Sequence, residues 1–426
     1  MGDVARRVRR TYFALVLGNT LAASFIWGIN TLFLLDAGLS NTEAFAANAF
    51  FTAGMVLFEI PTGVVADGWG RRTSYLAGTL VLAASTLAYV ALWQVRGPFW
   101  AWALVSVLIG LGFTFFSGAV EAWLVDALRF AGYTGSLEHV FGRGQVVSGV
   151  GMLAGSVGGG YLAQVTSLGV PFVVRAGLLV VMFVVAAVFM RDLGFAPDRT
   201  VPAREAVRVI VTTSVEHGLR NPPVRWLMLS GAFTAGVGIY AFYALQPFLL
   251  ALYGDPSAYG IAGLAAAGYA GAQVLGGLVA PRVRGLFARR TSVLLLGTAL
   301  GASLLAVLGV VTGFVPAVVL LVVWCGAQAT VAPVRQAYLN DLVPSAQRAT
   351  VLSFDSLVAS SGGVVLQPAL GRAADVWGYG PSYVVGGAVQ LLALPLLALS
   401  RRARPDADTA VQPDAPGVPE ARDASG

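Results

Sequence analysis

The feature that most limits what this chain can fold into is the return, again and again, of long apolar runs nearly free of charge. Ala77–Leu92 has no charged residue at all, and comparable runs recur from Thr11 to Ser400. A bilayer span needs about 20 mostly apolar residues. Within lipid every backbone N–H and C=O must be satisfied internally, so such runs become helices. Composition agrees: 57% of residues are hydrophobic and only 11% charged, against roughly 25% charged in soluble domains. The expected class is an all-α integral membrane protein.

Twelve spans are expected: Thr11–Leu35, Ala44–Ala66, Ser74–Gln94, Phe99–Leu128, Val140–Val165, Val170–Met190, Val224–Leu252, Ala258–Val283, Thr291–Thr312, Val315–Leu339, Thr350–Ala374 and Ser382–Ser400. This divides the chain into a six-helix bundle (1–190), a linker (191–223), a second six-helix bundle (224–400) and a disordered cytoplasmic tail (401–426). Within the linker, Ala203–Leu219 alternates apolar Val207, Ile210, Val211 and Val215 with polar Arg204, Arg208, Thr212 and Glu216, the pattern of an amphipathic surface helix.

The net charge of +6 comes from 27 basic residues, all arginine. Their positions follow the positive-inside bias rather than a nucleic-acid footprint. Arg6, Arg7, Arg9 and Arg10 precede the first span, Arg71 and Arg72 follow the second, and Arg401, Arg402 and Arg404 follow the last. The middle linker and the end of the eighth span are similarly rich. All fall on one side if the spans alternate, and both termini are then cytoplasmic. Arg96, Arg175 and Arg372 fall on or near the other side. The lone Cys325 excludes an intramolecular disulfide, and only two histidines are present, so metal and Cys/His nucleophile chemistry have little material. The N-terminus lacks a short apolar region with a cleavage site, so the first segment should remain a span.

An internal repeat supports two parallel halves. Glu121-Ala122-Trp123-Leu124-Val125-Asp126 matches Gln336-Ala337-Tyr338-Leu339-Asn340-Asp341, and Gly63-Val64-Val65-Ala66 matches Gly277-Leu278-Val279-Ala280, at nearly one offset. Pro171-Phe172-Val173-Val174 loosely matches Pro381-Ser382-Tyr383-Val384 at a slightly shorter one.

Between the second and third segments stands Gly63-Val64-Val65-Ala66-Asp67-Gly68-Trp69-Gly70-Arg71-Arg72. It is read as a tight charged loop after a proline-broken helix end at Pro61. Its pattern, G-x-x-x-D-x-x-G-R-R, resembles the signature loop between helices 2 and 3 of the major facilitator superfamily (MFS). The resemblance implies an MFS fold: 12 transmembrane helices in two parallel six-helix bundles around a central cavity, working by alternating access. It implies that Asp67 docks against the start of helix 11, near residues 349–353, and closes the cytoplasmic side in the outward-open state. Asp67, Arg71 and Arg72 are then gate residues, and Gly63 and Gly70 packing residues. The repeat copy has Pro281 in place of the aspartate.

In the fifth segment, Gly151, Gly155, Gly158 and Gly159 resemble the G-x-x-x-G-P-x-x-G-G motif of the superfamily's drug and metabolite antiporters, with Ser156 where the proline would stand. Close helix packing is the physical reading, and export the direction implied. Glu121–Asp126 together with Tyr338-Leu339-Asn340 and Pro344–Ser353 looks like a bacterial efflux branch of the family. The R-x-x-Q-G pattern of drug–proton antiporters is missing from the fourth segment.

Charges inside spans cost about 2.5–3.5 kcal/mol on insertion scales and mark cavities or pairs. Glu59, Glu121, Arg335 and Asp355 lie inside segments. Glu121 and Arg335 hold nearly equivalent repeat positions and are expected to pair across the halves, directly or through substrate, as a proton-loading site or as a static lock. Glu59 stands two residues before Pro61 and could instead satisfy freed backbone groups. Helical spacing groups the expected substrate cavity: Trp27 with Asn30, Phe113 with Ser117, Tyr240 with Tyr243 and Gln246, and Trp324 with Gln328. That set suits a bulky amphipathic organic molecule.

The function expected is secondary transport, exporting a small drug-like or metabolite molecule in exchange for protons, with uptake on the same fold as the alternative. No cofactor is expected, because G-x-x-x-x-G-K-[ST] is absent and a proton gradient suffices. A lipid-modifying membrane enzyme would need clustered carboxylates or a His/Ser/Cys set, and neither appears. A non-transporting sensor would not need Asp67 or intramembrane charges. The partners expected are a small-molecule substrate and the bilayer, with no nucleic acid, in a monomer of the cell membrane.

Overall fold

The computed structural model describes residues 2–116, 118–195, 203–403 and 408, and all the regular structure among them is helical apart from one isolated bridge residue. Six spans precede the linker. The first is α1 (Gly2–Trp27) and α2 (Asn30–Asp36), bent by 46°. Then come α3 (Asn41–Trp69), α4 (Arg71–Val95), the pair α5 (Phe99–Thr114) and α6 (Ala119–Phe130), α7 (Leu137–Val165) and α8 (Gly169–Phe189). The linker holds α9 (Ala203–Ser214), which runs on into a π-helical turn at Val215–Leu219. Six more spans follow: α10 (Pro222–Tyr253), α11 (Tyr259–Gly285), α12 (Arg290–Val310), α13 (Phe314–Leu342), α14 (Arg348–Trp377), and α15 (Tyr379–Leu391) with α16 (Ala393–Ala403).

Among the described residues ten helices are long and apolar enough to cross a bilayer, and eleven with the bent first pair. The twelfth is α14. It is long enough to span, but it carries Asp355, Arg372 and Asp375 and packs between α3 and α10. Its weak apolar signal follows from facing the other half rather than lipid.

Two sequence expectations are corrected here. Pro61 does not end a helix: α3 runs through it to Trp69. Continuing the helix keeps the neighbouring backbone groups bonded in a setting with no water to replace them. The signature segment is also not a loop. It is the last turns of α3 and the first of α4, joined by Gly70 alone at φ 105°. Of the tail, 401–403 extends α16, and Asp408 accepts from the backbone N–H of Thr291 (2.7 Å) and from its hydroxyl, tying down the start of α12. The remaining tail residues lie outside the described ones.

Four apolar cores explain the arrangement of the halves. One joins first-half residues such as Phe33, Tyr89 and Trp102 to Leu250, Ala258 and Ala262 of the second. Another is second-half but includes Phe45. Both lie toward the face opposite the chain termini, here the far face. At the terminal face the cores are separate: Tyr12, Tyr75 and Trp123 belong to one wholly within the first half, Val224, Tyr338 and Leu397 to one wholly within the second. The halves therefore meet at the far face and part toward the termini. The linker helix α9 packs against both α3 and α14.

Candidate substrate cavity

The parting of the halves leaves a cavity of about 770 Å³. Of the residues expected there, Trp27, Asn30, Phe113, Tyr243, Trp324 and Gln328 line it, and so does Arg335. Phe242 adds a ring edge-on to Trp27, with centroids 5.9 Å apart. Asn30 donates to Asn48 Oδ1 at 2.8 Å, and both amides reach the wall. Ser117 lies outside the described residues.

Two expected lining residues serve instead to close the far face. Gln246 is 1% exposed. Its Nε2 donates to the Trp27 carbonyl (2.6 Å) and its Oε1 accepts from the Thr31 N–H (3.0 Å). These backbone groups flank the break between α1 and α2, so an amide from the second half satisfies what the break leaves open. At the break Gly28 meets Gly263 of the second half backbone to backbone: a Cβ there would stand 2.8 Å from the Gly263 Cα. Tyr240 is fully buried, its hydroxyl bonded to Ser382 and its ring 4.8 Å from that of Phe45. Helical spacing groups Tyr240, Tyr243 and Gln246, but α10 is buried on most sides in its outer half. Only Tyr243 of the three reaches the cavity.

The far face is closed further by Asp375 near the end of α14. Its carboxylate accepts from the backbone N–H groups of Asn41 (2.9 Å) and Thr42 (2.8 Å) and from the Thr42 hydroxyl. Tyr379 bonds to the Asn41 side chain. The exposed N–H groups at a helix start favour an anion, so Asp375 holds the start of α3 from across the interface.

Glu121 and Arg335 do not pair directly. Arg335 makes a bidentate pair with Asp355, Nη1 to Oδ2 at 2.7 Å and Nη2 to Oδ1 at 2.6 Å, and also donates to the Leu227 carbonyl. Glu121 is exposed on α6, in the first half. The halves part at this level, so a carboxylate on α14, within the same half, is nearer to Arg335 than one across the opening. Glu59 is half-buried on α3 but does not line the cavity.

At the signature segment, Asp67 Oδ1 pairs with Arg71 Nη1 at 2.6 Å and remains mostly exposed. No bond from Asp67 to residues 350–353 is found among the described residues. Arg72 donates through its backbone N–H to Asp192 Oδ1 (3.0 Å) and through Nη2 to the Ala187 carbonyl (2.6 Å). Burial lifts the Asp192 carboxyl above the ordinary range, while the Arg72 N–H and the Arg72 and Arg71 guanidiniums pull the other way. Gly70 needs its glycine twice over, for φ and because a Cβ would strike Asp192. Gly63, expected to pack, has open space where its Cβ would be.

The glycines of α7 do pack. A Cβ on Gly155 would meet Ser24 and one on Gly159 the Phe25 backbone, both on α1, while Gly151 sits against Leu17. Gly158 is looser, with Phe25 at 3.9 Å. Their role is close approach of α7 to α1.

Sequence reasoning misses Arg175. It counts this residue among the far-side minority, yet Arg175 sits inside α8, 3% exposed and on the cavity wall. An arginine several residues inside an expected span is the available signal.

The family model of the Major Facilitator Superfamily matches residues 12–283 and 253–422. The chain belongs to that superfamily. The fold agrees with crystal structures of MFS-like transporters. The nucleoside transporter NupG superposes with TM-score 0.75 at 12% identity, covering 93% of this chain and 99% of that one. The POT family transporter PepTSo gives 0.72 at 12%, covering 93% and 98%. A bacterial homolog of the human lysosomal transporter Spinster, inward-facing and unoccupied, gives 0.69 at 15%, covering 96% and 98%. At these identities the likeness is one of fold. No match to the sequence of a curated protein was found. The protein is thus a multi-pass membrane transporter and not an enzyme, and its family is typically driven by ion gradients without a cofactor.

Proposed function

We propose that this protein exports a small amphipathic organic molecule in exchange for protons. The observation that carries the reading is the cavity itself, walled by Trp27, Phe113, Tyr243 and Trp324 and interspersed with amides, between halves that converge toward the far face. Aromatic walls with a few polar groups suit an amphipathic organic solute better than an inorganic ion. The arginine distribution supports a cytoplasmic terminal face; on that reading this state loads from the cytoplasm of a cell whose plasma membrane holds the protein. The α7 glycine motif favours export over uptake. The cavity is complete within one chain, which suits a monomer.

Coupling falls to the Arg335–Asp355 pair rather than to Glu121. Asp355 is 6% exposed, and its arginine reaches the cavity. Protonation of Asp355 would release the guanidinium toward the cavity and so link proton load to substrate occupancy. Asp67 supplies the cytoplasmic latch of the opposite state, as the family resemblance implies.

The test is a susceptibility and accumulation panel of amphipathic compounds in a host stripped of its main efflux pumps. The parent should protect and lower accumulation. Asp355→Asn and Asp67→Ala should abolish protection at equal membrane abundance, and Glu121→Gln should retain it. Raised accumulation with the parent would replace export by uptake. Full protection by Asp355→Asn would end its coupling role.

A further inference from the structure

We infer that Arg175 anchors a negatively charged group of the transported molecule, and that the substrate is an amphipathic organic anion. This rests on the cavity being the transport site, as proposed above, and goes on to name the charge of what enters it.

Arg175 is almost fully buried, yet its side chain reaches the cavity wall. Among the described residues it forms no ion pair, its guanidinium makes no hydrogen bond, and its Nε has no partner. Its contacts are aromatic. The guanidinium carbon lies 5.6 Å from the centre of the Phe113 ring. The phenols of Tyr89 and Tyr243 lie within its electrostatic reach. A ring face offsets part of the cost of burying a cation, but it leaves the N–H donors of the fork unused. Such a fork matches a carboxylate or phosphate edge.

The rest of the wall sharpens this. No aspartate or glutamate is among the described residues lining the cavity. The other lining cation, Arg335, is already neutralised by Asp355. The cavity therefore carries one uncompensated positive charge on a buried side chain, and an arriving anion completes the pair that folding left open. Donors without partners recur nearby: Asn48 Nδ2 and, across the cavity, Trp324 Nε1. Arg175 enters from α8 and its guanidinium lies against Phe113, so the anionic group would sit there and the apolar body along the remaining rings of the wall. Tyr243 belongs to the second half and Arg175 to the first, so an anion held by both would bridge them.

The test uses the full chain, purified in detergent, with binding measured by thermal shift and by isothermal calorimetry. The probes are aryl carboxylates, aryl sulfonates and aryl phosphate monoesters, each beside its neutral amide or ester and its amine counterpart. The parent should bind at least one acid series about tenfold or more tightly than the neutral counterpart, and amines least. Arg175→Gln should erase that ranking, and Arg175→Lys should keep it in weakened form. Should Arg175→Gln not survive purification, the ranking in the parent and in Arg175→Lys decides. The inference is overturned if no acid binds, if neutral or cationic members bind as tightly as acids, or if Arg175→Gln keeps the acid preference. Any of these leaves the export reading to its own accumulation assay. Anion binding that depends on Arg175, with accumulation of that anion raised rather than lowered by the parent, would replace export by uptake and leave the inference standing.

Discussion

Gly63 and Gly70 sit in one motif, yet the structure separates their roles. Gly70 has φ 105° and ψ 150°, a region that is nearly glycine's alone, and a side chain there would strike Asp192. Gly70→Ala should cost on the order of 1–3 kcal/mol. Gly63 is mid-helix with free space around it, so Gly63→Ala should be neutral or stabilising by up to about 1 kcal/mol. Detergent melting curves of the two variants read the contrast, and equal loss in both would refute it. The Arg335–Asp355 pair gives a second residue-scale prediction. Removing one member leaves the other as a buried, unpaired charge, at a cost of about 3–5 kcal/mol where burial is complete and less here, since Arg335 is partly exposed. The double variant Arg335→Gln/Asp355→Asn should therefore melt higher than at least one of the single variants. A double that simply adds the two losses would show that the pair does not couple.

At the scale of elements, the helices are legible in the sequence because bilayer thickness and charge exclusion leave few alternatives. The number of spans, the two halves and the arginine-rich face can be read from apolar runs and a repeat. What cannot be read is which residues meet across the halves. Spacing from Tyr243 assigns Gln246 to the cavity, but a broken helix in the other half claims its amide. Repeat symmetry pairs Arg335 with Glu121, but in this state the halves diverge there and α14 supplies Asp355. Most of the expected cavity set survives because aromatic residues near the middle of inner spans have few other places to go. Contacts between the halves depend on the state of the cycle, which no periodicity encodes. Asp375 is the clearest such case. Asp375→Asn removes the charge that holds the start of α3. It should loosen the far face, widening the distance between spin labels at the exposed positions Thr166→Cys and Thr312→Cys in a Cys325→Ser background. An unchanged distance distribution would mean that Gln246 and the apolar contacts suffice alone.

For the whole molecule, the same two helices bear a carboxylate toward each face. At the far face the carboxylate comes from α14 and the helix start from α3. At the terminal face the family resemblance proposes the reverse, with Asp67 of α3 and the start of α14. Each anion would stabilise one state and be idle in the other; here Asp67 pairs, among the described residues, within its own segment. A ligand or a mutation moves such an equilibrium only by its difference in free energy between the two states. A charged cap is worth roughly 0.5–2 kcal/mol, which shifts the state ratio by about two- to thirtyfold at 1.4 kcal/mol per tenfold. The two single variants should then err in opposite directions. Asp375→Asn should lower the population with a closed far face, and Asp67→Ala should raise it. The double variant should return toward the parent ratio even though it has lost both contacts, and recover part of the transport that either single loses. Spin-label distances across the far face follow the populations, and counterflow in vesicles follows the cycle. If the double variant were displaced as far as one of the singles, the two latches would not oppose each other, and the far-face carboxylate would be a cap of α3 alone.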